Sequence, residues 1–332
     1  MTVSIRLSTG APGSRILGVG AHRPTRVVPN DELAAAIDSS DQWIRERSGI
    51  ISRHFADDNE NVATMAHSAA AKALAAAGIQ PEQIDLVIVA TLTHDRPTPS
   101  ASALVADKLG APHAAAFDVG AACAGFCHAL ALADQAIRGG TAHYAVVVGA
   151  EKLSTYLNMS DRGSAFIFGD GAGAVVVGPS DTPGIGPVVW GGDTAQHEAI
   201  ATSTTWSQVR GGAAFPTITM QGQAVFRWAV FSMVPVALRV LEAAGVTLDD
   251  LSAFVPHQAN DRIIDAMIRQ LKLPAHIVVS HDIAHDGNTS AASIPLALAN
   301  LADSGAVRSG GLALLLGFGA GLVYAGQVVA LP

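Results

Sequence analysis

The chain has 332 residues, of which 49% are hydrophobic and only 14% charged, so it must bury a large core, and neither disorder nor a coiled coil fits such a composition. Its formal net charge of −8 argues against bulk binding to nucleic acid, and any acidic partner would need a local basic patch. The two cysteines, Cys123 and Cys127, are too few for a disulfide framework or a metal site, and four positions apart they lack redox C-x-x-C spacing.

The first 13 residues show no charged segment followed by an apolar run, so no signal peptide is expected. No stretch reaches the ~18 consecutive apolar residues of a transmembrane helix, and the expected compartment is the cytoplasm. In chain order, a strand is expected at 15–20, helices at 31–37 and 62–77, and a strand at 85–90. A strand-like run then stops in small residues at Phe117-Asp118-Val119-Gly120-Ala121-Ala122-Cys123-Ala124-Gly125-Phe126, and a helix at 123–138 opens on the cysteine. Strands follow at 145–149 and 173–178, and a seam rich in Gly, Pro and Asp covers 180–192. Beyond it come a helix at 224–244, a strand at 253–256, a helix at 261–271, a strand at 277–280, a helix at 289–304, and strands at 312–316 and 327–331.

A thiol in the first turn of a helix faces unpaired backbone N–H groups and the positive end of the macrodipole. Both favour thiolate and are expected to draw the Cys123 pKa from ~8.5 toward neutrality. Taken alone, such a cysteine reads more often as inert core.

The chain also repeats itself. Ala-Ala-Gly-Ile-Gln-Pro-Glu-Gln-Ile-Asp, with Gly78, precedes one apolar run, and Ala-Ala-Gly-Val-Thr-Leu-Asp-Asp-Leu-Ser, with Gly245, precedes another, 167 positions on. Tyr144-Ala145-Val146-Val147-Val148-Gly149 answers Leu312-Ala313-Leu314-Leu315-Leu316-Gly317, with Gly149 and Gly317 168 positions apart. Between them Cys123 is matched with Ser290, 167 positions on. Two copies of one α/β unit, residues 1–180 and 181–332, are therefore expected. Placed face to face, they bring corresponding strand ends together. In the second copy Val255-Pro256-His257-Gln258-Ala259-Asn260 puts a histidine at a strand end, and Gly287-Asn288-Thr289-Ser290-Ala291-Ala292-Ser293 puts an asparagine at a helix start. Either residue alone is a weak signal, since Asn288 could simply cap its helix. Together with Cys123 they occupy strand-to-helix turns expected to converge.

These motifs, with Phe168-Gly169-Asp170-Gly171-Ala172-Gly173-Ala174 and Gly317-Phe318-Gly319-Ala320-Gly321, resemble those of the β-ketoacyl-acyl-carrier-protein synthase III family of thiolase-like condensing enzymes. The likeness spans residues 15–331. It implies a thiolase-like α/β fold of two duplicated halves in five α-β-α-β-α layers, acting as a homodimer, with acyl-CoA and acyl carrier protein as partners and neither cofactor nor metal. Nucleic acid and membrane are not expected partners. By that resemblance Cys123 takes an acyl group from acyl-CoA as a thioester. A malonyl group on carrier protein then decarboxylates, and its carbanion attacks the acyl-enzyme. Asn288 cannot act as a base, but its amide can donate a hydrogen bond, as can a neutral His257, so the pair can hold the enolate oxygen. The resemblance also implies that the backbone N–H groups of Cys123 and Ala320 form the oxyanion hole for acylation.

The resemblance further implies that Trp43, Arg47 and Arg162 grip the CoA adenine, that Asn260 lies by the pantetheine arm, and that Thr98, small where short-chain members carry phenylalanine, lies at the acyl pocket. Arg262, Arg269 and Lys272 are expected to meet the acidic carrier protein, although they also fit an ordinary solvated helix face. Related chemistries fit less well. A degradative thiolase needs a cysteine in the last glycine loop, the elongating synthases have a second histidine at position 288, and plant-type polyketide synthases carry Gly-Phe-Gly-Pro-Gly. Priming of a polyketide or another specialised product stays open, as does simple acyl transfer to an alcohol or amine, though that needs no enolate donors. Gly169-x-Gly171-x-x-Ala174 is followed by a strand rather than a helix, so it is not a dinucleotide fingerprint. His94, His128, His281 and His285 show no metal-ligand pattern, and Cys127 is expected in the core.

Overall fold

In the computed structural model, which describes residues 5, 6 and 8–332, the strand Leu86–Ala90 is buried along its whole length. Its alternate side chains serve two separate cores: Leu86, Ile88 and Ala90 join one, Val87 and Val89 the other. The strand Ala145–Glu151 divides in the same way, with Ala145 and Val147 on one side and Val146, Val148 and Ala150 on the other. A strand with two apolar faces needs cover on both sides, which is why these segments read as continuous apolar runs rather than alternating ones.

Two five-stranded sheets result. The first runs Gly13–His22, Gly171–Ser180, Ala145–Glu151, Leu86–Ala90, Ala115–Val119; the second runs Val189–Gly192, Val323–Ala330, Leu312–Gly319, Leu251–Pro256, Val278–Val279. Each has two antiparallel pairings followed by two parallel ones in that order. The helices Gly125–Arg138 and Ser293–Ser304 lie between the sheets, where Phe126, Leu130 and Leu298 meet Val147, Val175, Val255 and Leu315. Val62–Ala77 and Ala101–Leu109 cover the outside of the first sheet, and Gly222–Ala244 and Asp261–Leu271 the outside of the second. The five layers are those expected from the sequence. Gly149 makes the close approach of the middle layer possible, because a Cβ there would lie 2.1 Å from the Ala291 carbonyl oxygen.

Helices 62–77 and 261–271 form with the expected bounds; an Asn61–Thr64 capping box opens the first, and Gly78 at φ 66° closes it. Several elements differ. Cys123 does not open an α-helix: it lies in a 3-10 turn, Ala122–Ala124, and the α-helix starts at Gly125. The strand expected at 277–280 shrinks to Val278–Val279 at a sheet edge. The helices Asp41–Ser48 and Ala101–Leu109 were not anticipated. The helix Gly222–Ala244 is long and apolar enough to span a bilayer by length and composition, yet Arg227, Arg239 and Glu242 interrupt it. Its Trp228, Met233, Val236 and Val240 are core contacts of the second sheet.

Candidate functional site

The nucleophile candidate stands on a turn that few residues adopt. After the strand Ala115–Val119 the chain passes Ala122 at φ 46°, and the Ala124 N–H closes the 3-10 turn on the Ala121 carbonyl at 3.1 Å. A non-glycine residue at positive φ is uncommon and is kept where the surroundings demand it. In the second half Ser290, at φ 50°, opens the matching 3-10 turn Ser290–Ala292. The turns and their helices are therefore related by 168 positions, not by the 167 that matched Cys123 with Ser290. The structural counterpart of Cys123 is Ala291, and that of Ser290 is Ala122.

Cys123 is partly exposed, whereas Cys127, one turn on, is fully buried between the sheets. The last glycine loop lies on the first of these thiols: a Cβ on Gly319 would come within 3.0 Å of Cys123 Sγ. Burial pushes the Cys123 thiol up to about 12, and the Glu151 carboxylate adds to the rise, while the Ser290 hydroxyl and the backbone N–H of Cys123 act the other way. The expectation of a pKa near neutrality is thereby corrected. Desolvation outweighs the helix end, and the resting group is a thiol that must lose its proton when it reacts.

His257 follows the last residue of the strand Leu251–Pro256, and its N–H donates to the Leu316 carbonyl at 2.8 Å. The ring meets Phe318 edge-on with centroids 5.3 Å apart, one residue before the Gly319 that covers Cys123. Burial alone pushes His257 down to about 3, so the imidazole is neutral. Its Nδ1 lies 2.8 Å from Ser293 Oγ, which also accepts from the Gln258 N–H at 3.3 Å. With the serine hydrogen directed to Nδ1, the ring hydrogen is on Nε2.

Asn288 is held on both sides by backbone. Its N–H donates to the Ile167 carbonyl at 2.8 Å, and its carbonyl accepts from the Gly169 N–H at 3.0 Å. Its Oδ1 accepts from the Ser290 N–H at 2.8 Å, so the amide NH₂ is the end left to donate. His257 and Asn288 thus share a design: the acceptor atom is tied from behind, and the donor is free. The turn of Asn288 leads straight into Ser290, which opens the 3-10 turn packed against that of Cys123. The structure brings the three side chains to neighbouring turns, with Ala320 directly after Gly319.

The other expected residues form a second group. Arg162 and Arg47 lie over the Trp43 indole, 4.7 Å and 5.7 Å from the centroid, and Phe166 meets its edge. Asn260 caps the helix Asp261–Leu271 through the Arg262 N–H and ties it to the Arg47 carbonyl, both at 3.0 Å. Its amide nitrogen is engaged at the Arg47 carbonyl, while the cap made by its oxygen is the role that a position before a helix foretells. Arg262 is exposed and lies 5.7 Å from the Phe226 ring centroid, with Arg269 on that helix and Lys272 at its C-terminal cap also exposed. Thr98 is exposed in the loop before Ala101–Leu109, a helix whose N-terminal N–H groups of Ala101 and Ser102 are held by the Asp118 carboxylate at 2.8 and 2.9 Å.

Sequence reasoning missed Glu151, Ser290 as a polar neighbour of the thiol, Ser293 and Gly319. The available signal for Glu151 was a carboxylate closing an apolar strand. Ser293 is the last residue of the Asn288 motif, but nothing in its spacing points to His257.

The family model for 3-oxoacyl-[acyl-carrier-protein (ACP)] synthase III matches residues 117–194, and that for its C-terminal part matches residues 241–331. The chain is similar to a β-ketoacyl-[acyl-carrier-protein] synthase III of Streptomyces glaucescens, with 54% identity over 99% of both chains, and to a mycobacterial one of Mycobacterium avium, with 48% identity over 99% of this chain and 98% of that one. Among solved structures, it is similar to the priming β-ketosynthase from the R1128 polyketide biosynthetic pathway, with TM-score 0.97 and 48% identity over 99% of both chains. It is also similar to the 3-oxoacyl-[acyl-carrier-protein] synthase III of Aquifex aeolicus, with TM-score 0.89 and 39% identity over 96% of this chain and all of that one.

Proposed function

The chain belongs to the 3-oxoacyl-[acyl-carrier-protein] synthase III family of acyl-transferring condensing enzymes, and on that footing we propose that Cys123, His257 and Asn288 divide its reaction between them. Cys123 attacks the thioester of an acyl-CoA and carries the acyl group. The backbone N–H groups of Cys123 and Ala320 receive the oxyanion of that step. Malonyl on acyl carrier protein then loses CO₂, and the Nε2–H of His257 and the amide of Asn288 hold the enolate oxygen while its carbon attacks the acyl-enzyme. The product is 3-oxoacyl carrier protein, the start of a fatty-acid chain. The observation that carries this assignment is the matched tethering of His257 by Ser293 and of Asn288 by the Ser290 N–H, which leaves two donors and no strong base. Simple acyl transfer has no use for such a pair.

Trp43, Arg47 and Arg162 are proposed to receive the adenine of CoA. The stacking aromatic has to enter where a guanidinium now covers the indole. Asn260 supports that wall beside the pantetheine arm. Arg262, Arg269 and Lys272 form the basic surface for the carrier protein. The edge strand Ala115–Val119 has Phe117 42% exposed, with Leu92 53% exposed nearby in sequence to the adjoining strand. A second copy of the chain is proposed to cover this edge, making a homodimer with Thr98 at the acyl pocket. The compartment proposed is the cytoplasm, and no cofactor or metal is invoked.

The likeness to a priming ketosynthase favours one second reading, in which the same site starts a polyketide from an unusual acyl group. A panel of straight, branched and longer acyl-CoAs with malonyl carrier protein separates the two. Condensation with acetyl- or isobutyryl-CoA above all others supports the fatty-acid role. Preference for a longer or unusual starter moves the enzyme to the specialised pathway, and the absence of product with every starter overturns both.

A further inference from the structure

Arg53, in the strand Ser52–Phe55, has no accessible surface and is the largest side chain buried to that degree among the described residues. Nothing in the reaction proposed above uses it. Its guanidinium meets neutral acceptors from three separate segments. Nη1 donates to the Val28 carbonyl at 3.1 Å, and Nη2 to Asn30 Oδ1 at 2.7 Å and to the Phe166 carbonyl at 2.8 Å. Nε is buried without a hydrogen-bond partner among the described residues. A buried cation whose acceptors include no carboxylate is unfavourable, and an apolar side chain of similar volume would fill a core at least as well. Arg23, by contrast, forms an ordinary ion pair, with Nε and Nη2 on the two Asp286 oxygens at 2.8 and 2.7 Å. Burial pushes Arg53 down to about 10, which leaves it charged at neutral pH.

What this cation holds is the support of Asn288. Phe166 leads into the stretch whose Ile167 carbonyl accepts from the Asn288 N–H and whose Gly169 N–H donates to the Asn288 carbonyl, a parallel bridge centred on Phe168. The stem of Arg53 lies against both flanks of that bridge. A Cβ on Gly169 would come 3.2 Å from the Arg53 Cβ, and one on Gly287, at φ 65°, would come 3.0 Å from it. The far anchor is firm, because Asn30 is itself buried and its Nδ2 donates to Asp41 Oδ1 at 2.8 Å and to the Ile50 carbonyl at 2.7 Å. A planar fork reaches acceptors on three segments at once, whereas a lysine ammonium is a single point. With Oδ1 of Asn288 tied to the Ser290 N–H, the direction of its free NH₂ follows from where this backbone sits.

We propose that Arg53 is a positioning residue for condensation: its guanidinium fixes residues 166–169, and that segment holds Asn288 with its amide aimed at the enolate oxygen. The inference rests on Asn288 being an enolate donor, as proposed above. Arg53 touches no reacting atom, and no proton passes through it.

The test is the rate of 3-oxoacyl product per acylated enzyme, measured for the parent, Arg53→Met, Asn288→Ala and the double variant. Counting by acylated enzyme removes any change at the Trp43 wall, which the Phe166 ring also meets. Arg53→Met should lower kcat on the order of 10²-fold, the effect of a reacting group misplaced by about 1 Å. KM for malonyl carrier protein should not change, because the contact at stake is made in the transition state. In the Asn288→Ala background the same substitution should slow condensation no further, since a residue acting through Asn288 has nothing left to act on. A merely structural arginine would instead slow that background by the same factor as the parent. Arg53→Lys should lie between the parent and Arg53→Met, and it runs the same cycle should Arg53→Met fail to fold. Losses that multiply in the double variant, or an Arg53 variant that condenses at the parent rate, would overturn the inference. An Asn288→Ala enzyme as fast as the parent would overturn the enolate donor on which it rests.

Discussion

The turn at Cys123 and the turn at Ser290 are one backbone used for two purposes. Each has a residue at positive φ, Ala122 and Ser290, followed by a 3-10 turn and a helix that runs between the sheets. In the first half the turn presents a sulfur. In the second it carries a serine, preceded by an amide whose acceptor is tied down by the Ser290 N–H. The sheets too share an order and differ in what their ends carry, Glu151 on one and the glycines 317 and 319 on the other. The two halves have equivalent strand-to-helix corners, and these differ in the side chains they carry.

That division of labour can be broken one part at a time. His257→Ala and Asn288→Ala should each lower condensation by ~10²–10³-fold, measured as 3-oxoacyl product per acylated enzyme. Loss of the acylation step to the same extent would remove their role as enolate donors. The next effect is on stability. Glu151 is pushed up to about 7 from 4.5 by burial, so between those values the unfolded chain releases a proton that the folded one keeps. Folding therefore loses stability as pH rises through this window, by about 3 kcal/mol in all. Denaturant titrations should show Glu151→Gln gaining on the parent across that window; a gap that does not move with pH would contradict the buried, unpaired carboxylate. Gly319→Ala puts a Cβ 3.0 Å from the Cys123 sulfur and 2.8 Å from its Cβ. It should slow acylation about tenfold and cost ~1–3 kcal/mol of stability through overpacking, and an unaffected variant would mean that the glycine loop does not shape the site. The smallest effect expected is that of Arg262→Glu, a rise of several-fold in KM for malonyl carrier protein with that for acyl-CoA unchanged. Equal changes in both would make this helix face ordinary surface.

Much of this was legible before the structure. The apolar runs and the matched glycines point to two α/β halves, because each run is a local pattern and the repeat compares one such pattern with another. The 168-position relation of the two turns was not, since a slip of one residue leaves the apolar pattern intact and only backbone conformation reveals it. Helix Asp41–Ser48 is short and polar and draws its definition from the Ser40 cap and Gly49, so apolar periodicity cannot find it. The raised pKa of Cys123 depends on how closely Gly319 and its neighbours exclude water, and the partners of Glu151 come from Thr91, Leu92 and Thr93, some 60 residues upstream. Burial and long-range hydrogen bonds of that kind have no signature in spacing.

The most direct test of the division between the halves is the acyl load of the double variant His257→Ala/Asn288→Ala after incubation with acetyl-CoA. The account predicts an acetyl group on Cys123 at close to the parent level, with no 3-oxoacyl product when malonyl carrier protein is added. A double variant that cannot be acylated, while still folded, would show that the second half supplies the base as well as the donors, and would contradict it.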